Sequence, residues 1–325
     1  MTTKPNISLR RLGQTDIQVT PIGLGVMQFS GGGKGIMGKM FRNLTTQEKN
    51  SIVGAALEGG INWFDTAEAY GSGHSEQGLS TALKAAQAKE DEVVVATKWF
   101  PILRTAGNLP KTINDRIRFM DGYAIDLYMV HQPWGLSSPE AEMEAMADLV
   151  EAGKFRAVGV SNFSADRMRR AHKALLRRGL PLAANQVHYS LIHRNIETNG
   201  VLETAEELGI TIIAYTPLGY GLLTGKYHKN PELLRQSILF RRMMIGRNLE
   251  RSRPVVSALG EIASRYGANP GQVALNWLVN VQGASVVAIP GATKAEHAQQ
   301  SAGAMHFTLT EEELSRLDEV TRDFR

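Results

Sequence analysis

Residues 61–65 read INWFD, residues 93–98 read VVVATK and residues 125–131 read IDLYMVH. Each is a short apolar run that ends in an ionisable side chain: Asp65, Lys98 and His131. The run ends lie 33 and 33 residues apart, and the series continues through AVGVS to Ser161, AANQ to Gln186 and ITIIAY to Tyr215 at intervals of 30, 25 and 29. An earlier run, PIGLGVM from Pro21, and a later one, ASVVAIP ending at Pro290, bring the number to eight. Short continuous apolar runs rich in Val and Ile predict strands buried on both faces.

The spacers carry helix signals. Thr45-Thr46-Gln47-Glu48 reads as a capping box. Ser138-Pro139 and Ser164 open further helices, with Gly153 and Gly179 past their ends. Asn269-Pro270 opens another, and Thr310 through Glu313 caps the last. Strictly alternating strand and helix in units of about 30 residues predicts a parallel sheet. Eight such units favour a closed (β/α)8 TIM barrel over an open sheet. The opening ISLRRLGQTDIQVTPIG predicts a hairpin turned at Gly13 to Asp16, ahead of the first barrel strand. Two longer stretches, 29–44 and 219–252, read as irregular loops on the C-terminal face, where barrel sites are built. No Pro/Ser-rich linker divides the chain, so residues 1–325 are expected to form one domain.

Composition narrows the chemistry. The 325 residues contain no cysteine, which excludes a disulfide scaffold, a thiolate metal centre and a cysteine nucleophile. The formal net charge of +4 is too mild to imply nucleic-acid binding. No apolar stretch approaches a membrane span, and the start lacks the apolar segment of a secretory signal. A soluble, cytoplasmic protein is expected. The histidines include no HxH and no HExxH pair, so a hydrolytic metal site is not expected.

Strand ends are ordinarily turn residues. Here three successive ends are ionisable, and barrel closure would bring them to one face. A Lys and an Asp meeting in an apolar mouth would pair. Tyr70 follows in DTAEAYGSGHSE, five residues after Asp65. A loop tyrosine often only covers a core. Beside an ammonium, however, its phenol would ionise more readily and could serve as a general acid. On this reading Asp65 holds Lys98, Lys98 lowers the pKa of Tyr70, and His131 bonds a substrate oxygen.

These residues resemble the aldo-keto reductase family. GINWFDTAEAYGSGHSEQGL resembles its active-site signature, and VVVATK and DLYMVHQP the segments carrying its Lys and His. GKFRAVGVSNFS, NQVHYS, AYTPLGYGLLTGK and VVAIPGATKAEHAQQS resemble its cofactor-binding segments, and the likeness runs from about residue 8 to 320. The resemblance implies a catalytic tetrad of Asp65, Tyr70, Lys98 and His131, with Tyr70 as proton donor. It implies that Ser161, Asn162 and Gln186 hold a nicotinamide carboxamide and that Tyr215 stacks on its ring. Thr216, Pro217, Leu218, Gly219, Leu223, Gly225 and Lys226 match the pyrophosphate loop. Gly291, Thr293, Lys294, Gln300 and Ser301 fall in the segment that grips the adenosine 2′-phosphate. Gly25, Val26, Met27 and Asp65 complete the expected cofactor contacts.

The last segment departs from the family pattern. Thr293 and His297 stand where an Arg is common, and Gln300-Ser301 where Glu-Asn is common. Lys294 remains as a cation for a phosphate. NADPH is the expected cofactor, with NADH use left open. One of Arg241, Arg242, Arg247, Arg251 and Arg253 could replace the missing Arg; otherwise they line a solvated loop. The Arg-rich helix MRRAHKALLRRG reads as a solvated face.

Two motifs are set aside. Gly33 to Gly38 fits GxGxxG formally, but the helix is expected only at Thr45, so it reads as a mobile loop beside the substrate. Thr224-Gly225-Lys226-Tyr227 lacks the first Gly and the final Ser or Thr of a phosphate loop. The implied activity is reduction of a small-molecule aldehyde or ketone to an alcohol. The alternative is a cofactor-binding regulatory module like the potassium-channel β-subunits. Met27, Phe29, Met37, Trp99, Phe100, Trp134 and Tyr220 suggest an apolar substrate pocket. Oligomeric state is not readable.

Overall fold

A computed structural model describes residues 7–236 and 239–325, with the side chains of residues 37 and 239–241 outside the described set. Two short strands come first, β1 (Arg10–Arg11) and β2 (Gln18–Val19). They pair antiparallel with Arg10 opposite Val19. Eight parallel strands follow: β3 (Leu24–Gly25), β4 (Trp63–Asp65), β5 (Val94–Trp99), β6 (Leu127–Val130), β7 (Ala157–Ser161), β8 (Leu182–His188), β9 (Thr211–Tyr215) and β10 (Val286–Ile289). They lie in chain order, each beside the next. Parallel bridges Ile22–Ala288 and Gly25–Gly291 bring the last strand back to the first. Gly23 N–H donates to Ala288 O at 2.8 Å and Gly25 N–H to Pro290 O at 3.0 Å across that seam. The eight runs read from sequence are thus the eight staves of a (β/α)8 barrel.

The caps appear where the sequence places them. Thr45 and Glu48 bond reciprocally, as do Asn269 with Gln272 and Thr310 with Glu313. Ser138 and Ser164 accept from Ala141 N–H and Arg167 N–H. Each satisfies N–H groups that the helix itself leaves without partners.

Two apolar layers result. The helices pack on the outside of the sheet around Phe64, Tyr128, Leu259, Trp277 and many others. Inside the barrel, Trp63, Ala96, Leu127, Met129, Ala184, Ile213 and Val287 meet Leu12, Ile17 and Val19 of the hairpin. The hairpin therefore plugs the N-terminal end. Trp63 Nε1 donates to Thr20 O at 2.9 Å, and Gly13 N–H to Thr211 Oγ1 at 2.7 Å. Gly13 has φ +56°, and a Cβ there would lie 2.5 Å from Ala183 O, so both the turn and the fit require glycine.

The two stretches read as irregular loops contain short helices. Residues 29–44 carry Gly35–Met40. Residues 219–252 carry Gly219–Thr224 as a 3₁₀ segment, then Lys226–Lys229, Glu232–Arg235 and Leu239–Gly246. The glycine stretch at 31–35 is packed in place: Gly33 lies against Gly71 and His74, and Lys34 N–H donates to Gly71 O at 3.3 Å. The Arg-rich helix Ala165–Leu176 is tied to its neighbours. Arg169 pairs with Glu207, Arg170 with Glu140, and Arg178 beyond its end with Glu144, Asp148 and Glu151.

Candidate active site

The C-terminal ends of the strands converge on one mouth. Asp65 ends β4, Lys98 lies one residue before the end of β5, and His131 follows β6 directly. Lys98 Nζ donates to Asp65 Oδ1 at 2.6 Å and to Thr66 O at 2.8 Å, and Gln186 Nε2 donates to Asp65 Oδ2 at 2.9 Å. Both charges of the pair are buried. Burial raises the pKa of Asp65 and lowers that of Lys98, and their mutual attraction opposes both shifts. A pair this enclosed survives because it is hydrogen-bonded on several sides.

Tyr70 sits over this pair, its ring centroid 5.3 Å from Lys98 Nζ. Its loop is held by Glu68 N–H donating to Lys98 O at 3.1 Å and by Ser75 Oγ donating to Val26 O at 2.7 Å. The expectation that the ammonium lowers the tyrosine's pKa needs correction. Lys98 directs its hydrogens to Asp65 and Thr66. Burial, then the charges of Asp65 and Tyr215, push the phenol up instead.

The His131 ring meets Tyr70 edge-on at 5.6 Å and Phe100 at 5.9 Å. Burial, reinforced by Lys98, pushes its pKa down to about 3, so it is neutral near pH 7. Its Nδ1 is buried without a hydrogen-bond partner among the described residues. Behind Lys98, Glu76 accepts from Thr97 Oγ1 at 2.7 Å and lies 3.3 Å from Arg116.

The remaining expected residues fall in three places. At the mouth, Tyr215 OH donates to Asn162 Oδ1 at 2.9 Å, Asn162 Nδ2 donates to Ser161 Oγ at 3.1 Å, and Ser161 Oγ donates to Gln186 O at 2.9 Å. Along the rim, Thr216 and Tyr220 join Gly219, Gly221 and Gly225 in left-handed backbone. Successive turns of this kind form concavities that suit anions. Lys226 opens the next helix there. On the far side, Thr293 and Lys294 face Thr45, Glu48 and Ser51 across a cavity of about 330 Å³. His297, four residues after Thr293, feels the charges of both Lys226 and Lys294. Lys294 borders this cavity, whereas Lys226 lies with its Nζ 4.9 Å from the centre of the Tyr227 ring. Gln300 donates to Glu296, and Ser301 is buried.

Several expectations change. Phe29 and Trp99 belong to the outer core and do not line the mouth. Side chains alternate along a strand, so Lys98 pointing inward sends Trp99 outward, where its Nε1 donates to Asn108 at 3.0 Å. Val26 and Leu223 are likewise packed in the outer core and fully buried, and the Val26 N–H and O are taken up by Asp65 O and Ser75 Oγ. Trp134 is exposed at the rim. Arg251 stacks on Phe324 and Arg253 pairs with Glu250, while Arg242 and Arg247 are exposed. The side chains of Met37 and Arg241 lie outside the described residues. Sequence reasoning overlooked Gln132, which accepts from Asn162 Nδ2 at 3.1 Å. It also overlooked His188. That residue lies two positions beyond Gln186 on one strand, and period two would have placed both on the same face.

Residues 21–322 match the family model described as the aldo/keto reductase family. The chain belongs to this family. It is 36% identical over 310 residues to an uncharacterized oxidoreductase of Mycobacterium tuberculosis, covering 95% of this chain and 91% of that one. It is 37% identical to the chloroplastic pyridoxal reductase of Arabidopsis thaliana, covering 82% and 75%. The glycerol dehydrogenase of Gluconobacter oxydans superposes with a TM-score of 0.79 at 26% identity, covering 100% and 97%. A thermostable aldo-keto reductase in complex with epalrestat gives 0.76 at 28%, covering 97% and 100%. As a member, this protein is an NAD(P)H-dependent oxidoreductase. Among the described residues no helix is long and apolar enough to cross a membrane.

The mouth fits a nicotinamide dinucleotide. The cluster of amides and hydroxyls at Ser161, Asn162 and Gln186 suits its carboxamide end. The left-handed loop with Lys226 suits a pyrophosphate, and the lysine-bordered cavity has room for the ribose end.

Proposed function

We propose that this enzyme reduces an aldehyde or ketone to an alcohol with NADPH, reversibly, and that Tyr70 supplies the proton. The observation that carries the reading is the buried Asp65–Lys98 pair with the rings of Tyr70 and His131 against it. When bound, the reduced nicotinamide supplies the hydride. The residues do the rest. Burial keeps the Tyr70 phenol protonated until a carbonyl oxygen arrives. As the proton leaves, the Lys98 ammonium favours the phenolate left behind, and Asp65 and Thr66 O hold that ammonium in place. Neutral His131 steadies the same oxygen by hydrogen bonding. Gln186 braces Asp65 from the opposite strand.

Ser161, Asn162 and Gln186 hold the carboxamide, Tyr215 supports the ring, and Gly25 and Met27 border it, with buried Val26 packed behind them. Thr216, Pro217, Leu218, Gly219, Leu223, Gly225 and Lys226 form the pyrophosphate cradle. Gly291, Thr293, Lys294, Gln300 and Ser301 take the adenosine end. Lys294 at the border of the cavity beside Thr293 supports NADPH over NADH. We read the chain as one domain that acts on small carbonyl compounds in the cytoplasm.

Initial rates with 4-nitrobenzaldehyde and methylglyoxal, each with NADPH and with NADH, test the proposal. Turnover with a preference for NADPH is expected. Tight cofactor binding without turnover of either substrate would overturn it in favour of a regulatory module.

A further inference from the structure

Three flat rings lie in a column beside the mouth. The His193 ring stacks on His188 with centroids 3.7 Å apart and planes 17° from parallel. His188 stacks on Tyr215 at 5.3 Å and 13°. The column follows from strand register. His188 at the end of β8 pairs with Tyr215 at the end of β9, and neighbouring strands hold same-side residues about 4.8 Å apart. Tyr220 closes the flank edge-on to His188 at 6.4 Å.

The base of the column is anchored. Ser190 and His193 exchange backbone hydrogen bonds of 3.1 and 3.0 Å, which fixes the turn that carries His193. The next residue, Arg194, is buried. It reaches Glu197, Asp318 and Thr321 and lies 5.0 Å from the centre of the Trp277 ring. The far end of the column is Tyr215, whose hydroxyl is tied to Asn162. Tyr215 is thus held by its hydroxyl at the tip and by a ring against its face.

We propose that His188 and His193 are positioning residues for the nicotinamide ring, holding Tyr215 in the plane on which that ring stacks. The inference rests on the reading of Tyr215 given above. Burial of His188, with His193 beside it, pushes its pKa down to about 3. The ring that backs Tyr215 is therefore uncharged near pH 7 and does not repel the cationic oxidised nicotinamide.

The test is equilibrium titration of the full-length protein with NADP⁺ and NADPH, followed by fluorescence. The variants are His188→Leu, His188→Phe, His193→Leu and Tyr215→Leu, with a melting temperature for each. His188→Leu removes the flat ring, and about tenfold weaker binding of both cofactor forms is expected. His188→Phe restores a stacking ring and is expected to bind within about twofold of the parent. His193→Leu removes the base of the column and is expected to weaken binding about threefold. Unchanged binding in His188→Leu, or equal weakening in His188→Leu and His188→Phe, overturns the proposal. If His188→Leu does not fold, His193→Leu decides by the same criterion. Unchanged binding in Tyr215→Leu, or absence of cofactor binding by the parent, would instead overturn the reading of Tyr215 on which the inference stands.

Discussion

At the N-terminal end of the barrel, Leu12, Ile17 and Val19 of the hairpin close over Trp63, Leu127 and Ile213 in an apolar layer. At the other end, the same strands deliver Asp65, Lys98, Gln186 and Tyr215 into a mouth tied together by side-chain hydrogen bonds. One strand, β4, serves both: Trp63 faces the plug and Asp65 the mouth. One barrel thus separates stability from chemistry along its axis. Damage at the plug is expected to lower stability and spare turnover. Damage at the mouth is expected to stop turnover, with a loss of stability only where a buried charge loses its partner.

The largest effect should come from Tyr70→Phe. It removes the proposed proton donor and keeps the ring over Lys98, so kcat should fall about 10²- to 10⁴-fold. Cofactor affinity measured by titration should stay within about twofold. Full turnover in this variant would break the assignment of chemistry to the mouth.

Lys98→Met comes next. It leaves the Asp65 carboxylate buried without its cation, and a stability loss of about 3–5 kcal/mol is expected by denaturant unfolding. Adding Asp65→Asn should recover part of that loss, because a buried neutral amide needs no counter-charge.

At the opposite end, Leu12→Ala should cost about 2–5 kcal/mol. Its kcat at saturating substrate should match the parent. A large drop in kcat would show that the two ends are not independent.

A smaller effect concerns pH. His131 titrates at about 3 in the folded protein and near the ordinary value when unfolded. The unfolded chain therefore takes up a proton first as pH falls. The stability contributed by the neutral ring is complete above about pH 6.5 and is lost as pH falls toward 3, at ~1.4 kcal/mol per pH unit. In His131→Asn the acid limb of a stability–pH profile should be shallower by that one-proton slope.

The smallest effect is assigned to Lys294→Ala, since this lysine is exposed. NADPH affinity should weaken about fivefold while NADH affinity is unchanged. Equal loss for both cofactors would move the 2′-phosphate contact elsewhere, with Lys226 as the next candidate.

The barrel and the ionisable residues at its mouth were legible because their signals are local. Val- and Ile-rich runs mark strands, side-chain caps mark helix starts, and Asp65, Lys98 and His131 stand at or beside strand ends where a barrel presents groups at its mouth. The short helices within 29–44 and 219–252 were not legible. Neither Gly35–Met40 nor Lys226–Lys229 has a side-chain cap bond.

The sequence by itself determined the order of strands and helices, the hairpin that precedes them, and which ionisable residues meet at the mouth. Tertiary structure decided where each of them points. It turned Lys98 toward Asp65 and Thr66, sent Trp99 and Phe29 into the outer core, and raised the phenol of Tyr70 rather than lowering it. It also stacked His188 between His193 and Tyr215. The reason is distance along the chain. Gln186 reaches Asp65 across 121 residues, so barrel closure sets that contact and the burial around it, beyond the reach of any local pattern.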